Sequence, residues 1–301
     1  METIKGGGKM ILIGENINVM NKKLRQAFKE RNKGPVQEVV KKAVKNGVDY
    51  LDLNIGPARK DGPQLMEWLI KTVREITDLP VFLDTTNVEA LKVGLEMEGG
   101  KAVINSIQVT PERMDLLIPL MKDYNAKCVA LLIGSEGVPR DATERSSLAI
   151  EFLTRIDAEG IPHTSVFFDP IVLPVPYQQD QVKAVLEFMS LFKEMLPGCL
   201  STCGLSNVSN GAPDNLRPLL NRTYLAMLMK HGLDSAIVDA MDTELIEMAK
   251  TGKGKLVEFI FRVMEGEEID ESSLSDEERD YFKTYKVLTG ETLYSHSWLK
   301  V

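Results

Sequence analysis

A single (β/α)8 TIM barrel with an acidic insertion near the C-terminus is the fold class the sequence predicts, and three observations carry that expectation. Eight short apolar runs alternate with stretches of helical periodicity along the chain. The runs hold Val, Ile and Leu at consecutive positions, as parallel strands covered on both faces require. The length of 301 residues is one that such barrels reach as one domain.

In order, the strand-like runs are MILIGE from Met10, YLDLNI from Tyr50, PVFLDTT from Pro80, KAVINSI from Lys101, CVALLIG from Cys128, SVFFDPI from Ser165, CLSTCGLSN from Cys199 and SAIVDAM from Ser235. Helical runs separate them. Val36, Val39, Val40, Ala43 and Val44 recur at helix spacing and stop at Asn46-Gly47. Thr110 reads as an N-cap with Pro111 in the first turn, and Met114, Leu117, Ile118 and Met121 share one face. Pro119 interrupts that helix. Val182, Val185, Leu186 and Met189 repeat the pattern. An open doubly wound sheet is the rival, but the Gly-x-Gly-x-x-Gly turn that would favour it is missing. The expected domain spans 1–301, with a flexible glycine-rich lead-in over 1–9 and an exposed acidic excursion over 265–290, including a short helix capped by Ser275.

Composition narrows the function classes. Hydrophobic content of 44% and charged content of 27% are ordinary for a globular protein. A net charge of -8, with no basic block, argues against nucleic acid as a partner. No apolar run reaches the roughly 20 residues that cross a bilayer, and the first residues do not resemble a signal peptide. Nor does GGGKM make a phosphate loop, since no strand precedes it. Cys128, Cys199 and Cys203 fit free thiols in a reducing cytoplasm. His163, His231 and His296 stand far apart in sequence, so no metal site is expected.

The strand ends hold the chemistry. Strands of such a barrel present their carboxyl ends to one active-site face. Here those ends carry Glu15 and Asn18, Asp52 and Asn54, Asp84 with Thr86 and Asn87, Asn105 with Ser106, Asp169, Ser206 with Asn207, and Asp239. Asn and Asp also serve as turn residues and helix caps, which would explain any one of them. So many together is a different matter, because a buried polar group without a partner costs about 1–3 kcal/mol. Such a bowl wants a ligand dense in donors and acceptors. Phosphate would want Arg, Lys or glycine nests. Acyl transfer would want a Ser or Cys with a histidine base. A glycosidase would want a carboxylate pair; Asp84 and Asp169 would supply one, but the asparagines and scarce aromatics would then go unused. A flat, nitrogen-rich heterocycle fits best, since Asp accepts from an amino-amide edge and Asn both donates and accepts.

The ordered motifs ILIGENIN, YLDLNIGP, VFLDTTN, VINSI, FFDPIVLP and GLSNVS followed by RPLLNRTYLAM resemble the pterin-binding (β/α)8 family. Within it they look most like methyltetrahydrofolate:corrinoid protein methyltransferases, from about Met10 to Met264 and again near TLYSHSWLK. The resemblance implies a homodimeric enzyme with no tightly bound cofactor. It would move a methyl group between N5 of tetrahydrofolate and the cobalt of a corrinoid (cobalamin-type) carried by a separate protein. By matching motif, Asp84, Asn105 and Asp169 would hold the pterin edge, Ser206 and Asn207 would lie near N5, and Asn207 would be the catalytic residue. Arg217 matches a family arginine near the folate, while Glu15, Asn18, Asp52 and Asn54 would line the mouth.

Three departures qualify the resemblance. Asn16 stands where an arginine is expected, the loop from Asn207 to Arg217 is about two residues longer than expected, and the acidic insertion is extra. They fit a different corrinoid partner, such as that of an O-demethylase system, running methyl-Co(III) to tetrahydrofolate. Dihydropteroate synthase shares the pterin pocket, but would want glycine, phenylalanine and lysine after the Asp-Pro motif, where this chain has IVLPVPYQQD. Complete cobalamin-dependent methionine synthase would need modules for which these residues leave no room. A non-catalytic folate-binding subunit is the remaining alternative.

Overall fold

Alternation along each strand decides what fills a barrel, because successive side chains point to opposite faces. In a computed structural model that describes residues 10–300, eight parallel strands carry that alternation: β1 (Ile11–Asn18), β2 (Tyr50–Asn54), β3 (Val81–Asp84), β4 (Ala102–Gln108), β5 (Lys127–Leu131), β6 (Val166–Asp169), β7 (Leu200–Ser201) and β8 (Ser235–Val238). Their order, β7-β6-β5-β4-β3-β2-β1-β8, follows the sequence with β8 beside β1. Ile13, Phe82, Val103, Val129 and Phe167 point inward and pack as the barrel's own core. The residues between them, such as Leu12, Leu83 and Phe168, point outward into the larger core beneath the helices. The glycine-rich lead-in expected over 1–9 lies outside the described residues.

The surrounding helices are α1 (Lys22–Glu30), α2 (Lys33–Asn46), α3 (Gly62–Arg74), α4 (Val88–Glu98), α5 (Pro111–Asp123) and α6 (Ala142–Ala158). They continue with α7 (Gln179–Met195), α8 (Arg217–Lys230), α9 (Thr243–Thr251), α10 (Lys255–Met264) and α11 (Asp276–Leu288). The sequence marks of several recur as geometry. Gly47 ends α2 in the left-handed region at φ 94°. The Thr110 hydroxyl caps α5 by accepting from the Arg113 N–H. The expected interruption at Pro119 does not break α5, since Pro119 lies on its exposed face, where water can serve the unpaired carbonyl.

The seam between β7 and β8 departs from the regular pattern. The run Cys199–Asn207, expected as one strand, forms only two residues of ladder, and Leu205–Ser209 coils into a 3₁₀ turn. Side chains and one isolated backbone bridge take over the closure. The Asp234 carboxylate accepts from the Ser201 N–H at 2.7 Å and the Ser201 hydroxyl at 2.8 Å, and the Ile237 N–H donates to Cys203 O at 2.8 Å. Asn207 therefore sits on a turn above the seam, not at a strand end.

The acidic segment 265–290 divides in two. Its first part is largely exposed, whereas α11 buries Tyr281, Thr284, Val287 and Leu288. Ser275 and Glu278 form a reciprocal capping box at its start. The following tail folds back, burying Trp298 with its indole N–H on the Thr284 hydroxyl at 3.0 Å. Burying such a ring contributes roughly 2–3 kcal/mol, so this half is part of the fold and not an exposed excursion. Among the described residues, no helix is long and apolar enough to cross a membrane.

Candidate functional site

Cross-strand register brings the polar strand ends level. Asn18 pairs with Asn54, Asn54 with Asp84, and Asp84 with Asn105, so one polar row runs across β1 to β4. Two inward pairs lock it. The Asn105 amide donates to Asp52 Oδ1 at 3.0 Å, and the Asn54 amide donates to Asp84. Asn54 also accepts from the Gly56 N–H at 3.0 Å.

Burial governs the acidity of these carboxyls. It pushes Asp84 up to about 6, against the opposing pull of the Asn54 amide. Asp52 rises for the same reason, reinforced by the nearby Asp84 charge. Burial also lifts Asp169 to about 6, while the backbone N–H groups of Ile171 and Gly204 and the Arg145 charge hold it back. Glu15 rises to about 7, again through burial first, with Asp239 adding and Ser206 and Arg217 opposing.

A carboxyl with a raised folded pKa stabilises the fold fully below its unfolded pKa, and that contribution is lost as pH rises through the folded value. These groups therefore make the unliganded protein less stable as pH rises from about 4 to about 7. Asp84→Asn keeps the acceptor for Asn54 and removes the charge. The variant is expected to match wild type at pH 4 and to exceed it at pH 8 by about 1–3 kcal/mol. Urea unfolding at the two pH values checks this; equal or lower stability at pH 8 would contradict it.

Beside the polar row opens a cavity of about 920 Å³ between the ends of β7, β8 and β1. Glu15, Asn18, Ser206, Asn207 and Arg217 line it. Asp52, Asn54, Asp84, Asn105 and Asp169 do not; they lie at the same end of the barrel, turned toward one another or toward backbone. The Ser206 hydroxyl donates to Glu15 Oε2 at 2.9 Å. Arg217, the first residue of α8, donates through Nε to the Ser209 hydroxyl at 3.1 Å. Five carboxylates line the cavity (Glu15, Asp214, Asp239, Asp242, Glu244) against two guanidiniums. One of these, Arg222, is already engaged with Asp242 and Glu244. Such a lining recognises donors better than phosphates.

Two other strand-end asparagines have structural partners, although Asn16 also lines the cavity. Asn87 caps α4 through the Ala90 N–H. Asn16 joins β1 to the end of β8: its amide donates to Asp239 at 2.7 Å and accepts from the Ala240 N–H at 2.7 Å. Among the described residues, no group of three or more His, Cys, Asp or Glu side chains is placed to hold a metal ion.

Sequence reasoning passed over Arg145. It is fully buried, and its Nε donates to Pro170 O at 2.7 Å, next to Asp169. Its other nitrogens reach Asp141 O at 3.1 Å and Gln181 Oε1 at 2.8 Å. A signal existed: Arg145, Ala149, Phe152 and Ile156 share the buried face of α6, so a charge stands in an apolar stripe.

Comparison with known proteins bears on these observations. A methylcorrinoid:tetrahydrofolate methyltransferase of Eubacterium limosum is 23% identical over 239 residues, covering 79% of this chain and 88% of that protein. A methionine synthase of Mycobacterium tuberculosis is 29% identical over 242 residues, 77% of this chain, yet the chain spans only 20% of its length. Solved structures resemble the fold. A dihydropteroate synthase from Coxiella burnetii in complex with pteroic acid matches with a TM-score of 0.63 and 15% identity, covering 81% of this chain and 94% of that one. One from Xanthomonas albilineans matches at 0.61 and 16%, covering 81% and 91%. The model of the family described as pterin binding enzyme matches residues 14–239, from within β1 to the end of β8. With β2 to β8 and most of β1 inside a match that spans well over half of the chain, the chain belongs to the pterin-binding enzyme family.

Proposed function

We propose that this protein transfers a methyl group between N5 of methyltetrahydrofolate and the cobalt of a corrinoid held by a separate protein, itself acting as a homodimer. The observation that carries the reading is the pairing of two surfaces: an amide and carboxyl row able to read an amino-amide edge, and beside it a cavity with Asn207 on its wall. The Eubacterium limosum relative, which covers most of both chains, supports it. A phosphorylated pterin fits this lining poorly, because the carboxylates outnumber the free cations. Dihydropteroate synthesis is therefore the weaker alternative.

In this reading, Asp84, Asn105 and Asp169 hold the pterin edge. The raised carboxyls ionise when ligand N–H groups replace the missing solvent, so binding energy offsets the cost of burying them. Asn207 acts at N5. Methyl departure from a tertiary amine requires a proton on nitrogen, and a neutral amide donates to unprotonated N5, then accepts from the protonated form after reorienting. Microscopic reversibility lets the same groups serve either direction.

The test mixes protein, methyltetrahydrofolate and free cob(I)alamin without oxygen and follows the Co(I) absorption. Protein-dependent decay with formation of methylcobalamin is expected. If folate binds and no transfer occurs with free or protein-bound corrinoid, a non-catalytic folate-binding subunit is the better reading.

Gly204 offers a finer check on Asn207. A Cβ at Gly204 would stand 2.9 Å from the Asn207 amide nitrogen. Its backbone, at φ -76°, accepts alanine without strain. Gly204→Ala is thus expected to leave the thermal midpoint nearly unchanged and to slow transfer about tenfold by displacing the amide. An unaltered rate would place Asn207 away from the chemistry.

A further inference from the structure

The methyl-transfer reading leaves the source of the proton open, and one cluster in the cavity supplies a candidate. Inward alternation along β1 places Ile11 and Ile13 in the barrel core and brings Glu15 to the cavity. The Ser206 hydroxyl donates to Glu15 Oε2 at 2.9 Å, across the seam between β1 and the 3₁₀ turn. Ser206 is the chain neighbour of Asn207, and all three residues line the same cavity. A carboxyl, a hydroxyl and an amide thus stand in succession along one wall.

We infer that Glu15, acting through the Ser206 hydroxyl, holds the proton that is exchanged at N5 of the substrate. The assignment rests on the methyl-transfer reading above. In the direction away from folate, a protonated Glu15 gives its proton to Ser206 Oγ while Ser206 gives its own to the N5 lone pair. The N5–methyl bond then breaks, its electron pair stays on nitrogen, and a neutral secondary amine remains. The methyl carbon bonds to cobalt, whose electron pair forms the new bond. Glu15 is left as a carboxylate accepting from Ser206, the arrangement the structure contains. Water at the cavity mouth restores its proton. In the opposite direction each transfer reverses.

The surroundings of Glu15 suit a group that keeps and releases a proton near neutrality. Asp239 faces it from the end of β8 and Asp52 from β2, with Asp84 beyond on β3, while Arg217 at the start of α8 opposes them. Burial is the main influence on Glu15, and the carboxylates around it outnumber the cation. Asn207 has no proton to lend at this pH, so the two groups have separate roles in which the amide orients and the carboxyl titrates.

Single-turnover transfer from methyltetrahydrofolate to cob(I)alamin, measured from pH 5.5 to 8.5, tests the assignment. Glu15→Gln retains the side-chain shape and an acceptor for Ser206 but holds no exchangeable acid. Wild type is expected to slow as pH rises through about 7. The variant is expected to bind methyltetrahydrofolate within about twofold of wild type, to transfer at least tenfold more slowly at pH 6, and to lose the pH dependence. Should Glu15→Gln fail to fold, Ser206→Ala breaks the same relay and is expected to show the same flattened profile. A slower variant with the wild-type profile intact would make Glu15 a structural residue and overturn the assignment. So would a variant with wild-type rate. Failure of the wild-type protein itself to transfer, with free or protein-bound corrinoid, would remove the methyl-transfer reading and this relay together.

Discussion

Asn207→Ala is expected to slow methyl transfer by roughly 5- to 150-fold, the equivalent of about 1–3 kcal/mol for one hydrogen bond at a reacting atom. The fold should not notice. Asn207 is exposed, and among the described residues its side-chain amide makes no hydrogen bond to the protein. Its structural part is played by the backbone: its N–H donates to Gly204 O at 3.2 Å and its carbonyl accepts from the Asn210 N–H at 3.1 Å. Alanine keeps both. An exposed substitution of this sort stays within about 0.5 kcal/mol in stability. The measurement pairs single-turnover rates with folate binding and a thermal melt. A slower rate with an unchanged melt supports a role at N5; unchanged rate and unchanged binding together would refute it.

The largest effect on stability is expected at Arg145. Arg145→Met keeps most of the volume and removes the guanidinium that serves Pro170 O, Asp141 O and Gln181. Those groups would be left buried, and Asp169 would lose the cation that opposes the upward push of burial on its pKa. The expected cost is about 3–5 kcal/mol, which lowers the melting temperature by on the order of 10 °C. Arg145→Lys should recover little, because an ammonium cannot present a planar fork to Pro170 and Gln181 together. Denaturant unfolding of the two variants decides it. A loss below about 1 kcal/mol in Arg145→Met would show that water readily replaces the guanidinium.

Much of the barrel can be read in the chain because its cause is local. Short apolar runs, helical periodicity, caps such as Thr110 and Ser275, and the stop at Gly47 each act within a few residues. The strand ends could likewise be named from sequence, since apolar runs that finish on Asn or Asp stand out. Their division of labour could not. Asn87 became a helix cap and Asn16 a tie between β1 and β8, while Glu15, Ser206 and Asn207 came to share one wall. Arg145 escaped notice because its partners lie 25 and 36 residues away.

The seam shows the same boundary. Cys199–Asn207 has the composition of a strand, yet closure of the barrel there passes to Asp234 and the Ser201 side chain, and Asn207 ends on a turn. Register is the clearest case. Residue order alone tells that Asn18, Asn54, Asp84 and Asn105 stand at or near the ends of their strands. That they fall level depends on irregular pairing between Gly14 and Ile17 on β1 and on the registers of three further strands. Facing along a strand follows from the geometry of one backbone and is written in the chain. Alignment across strands follows from the packing of the whole barrel, and it exists only once the barrel has closed.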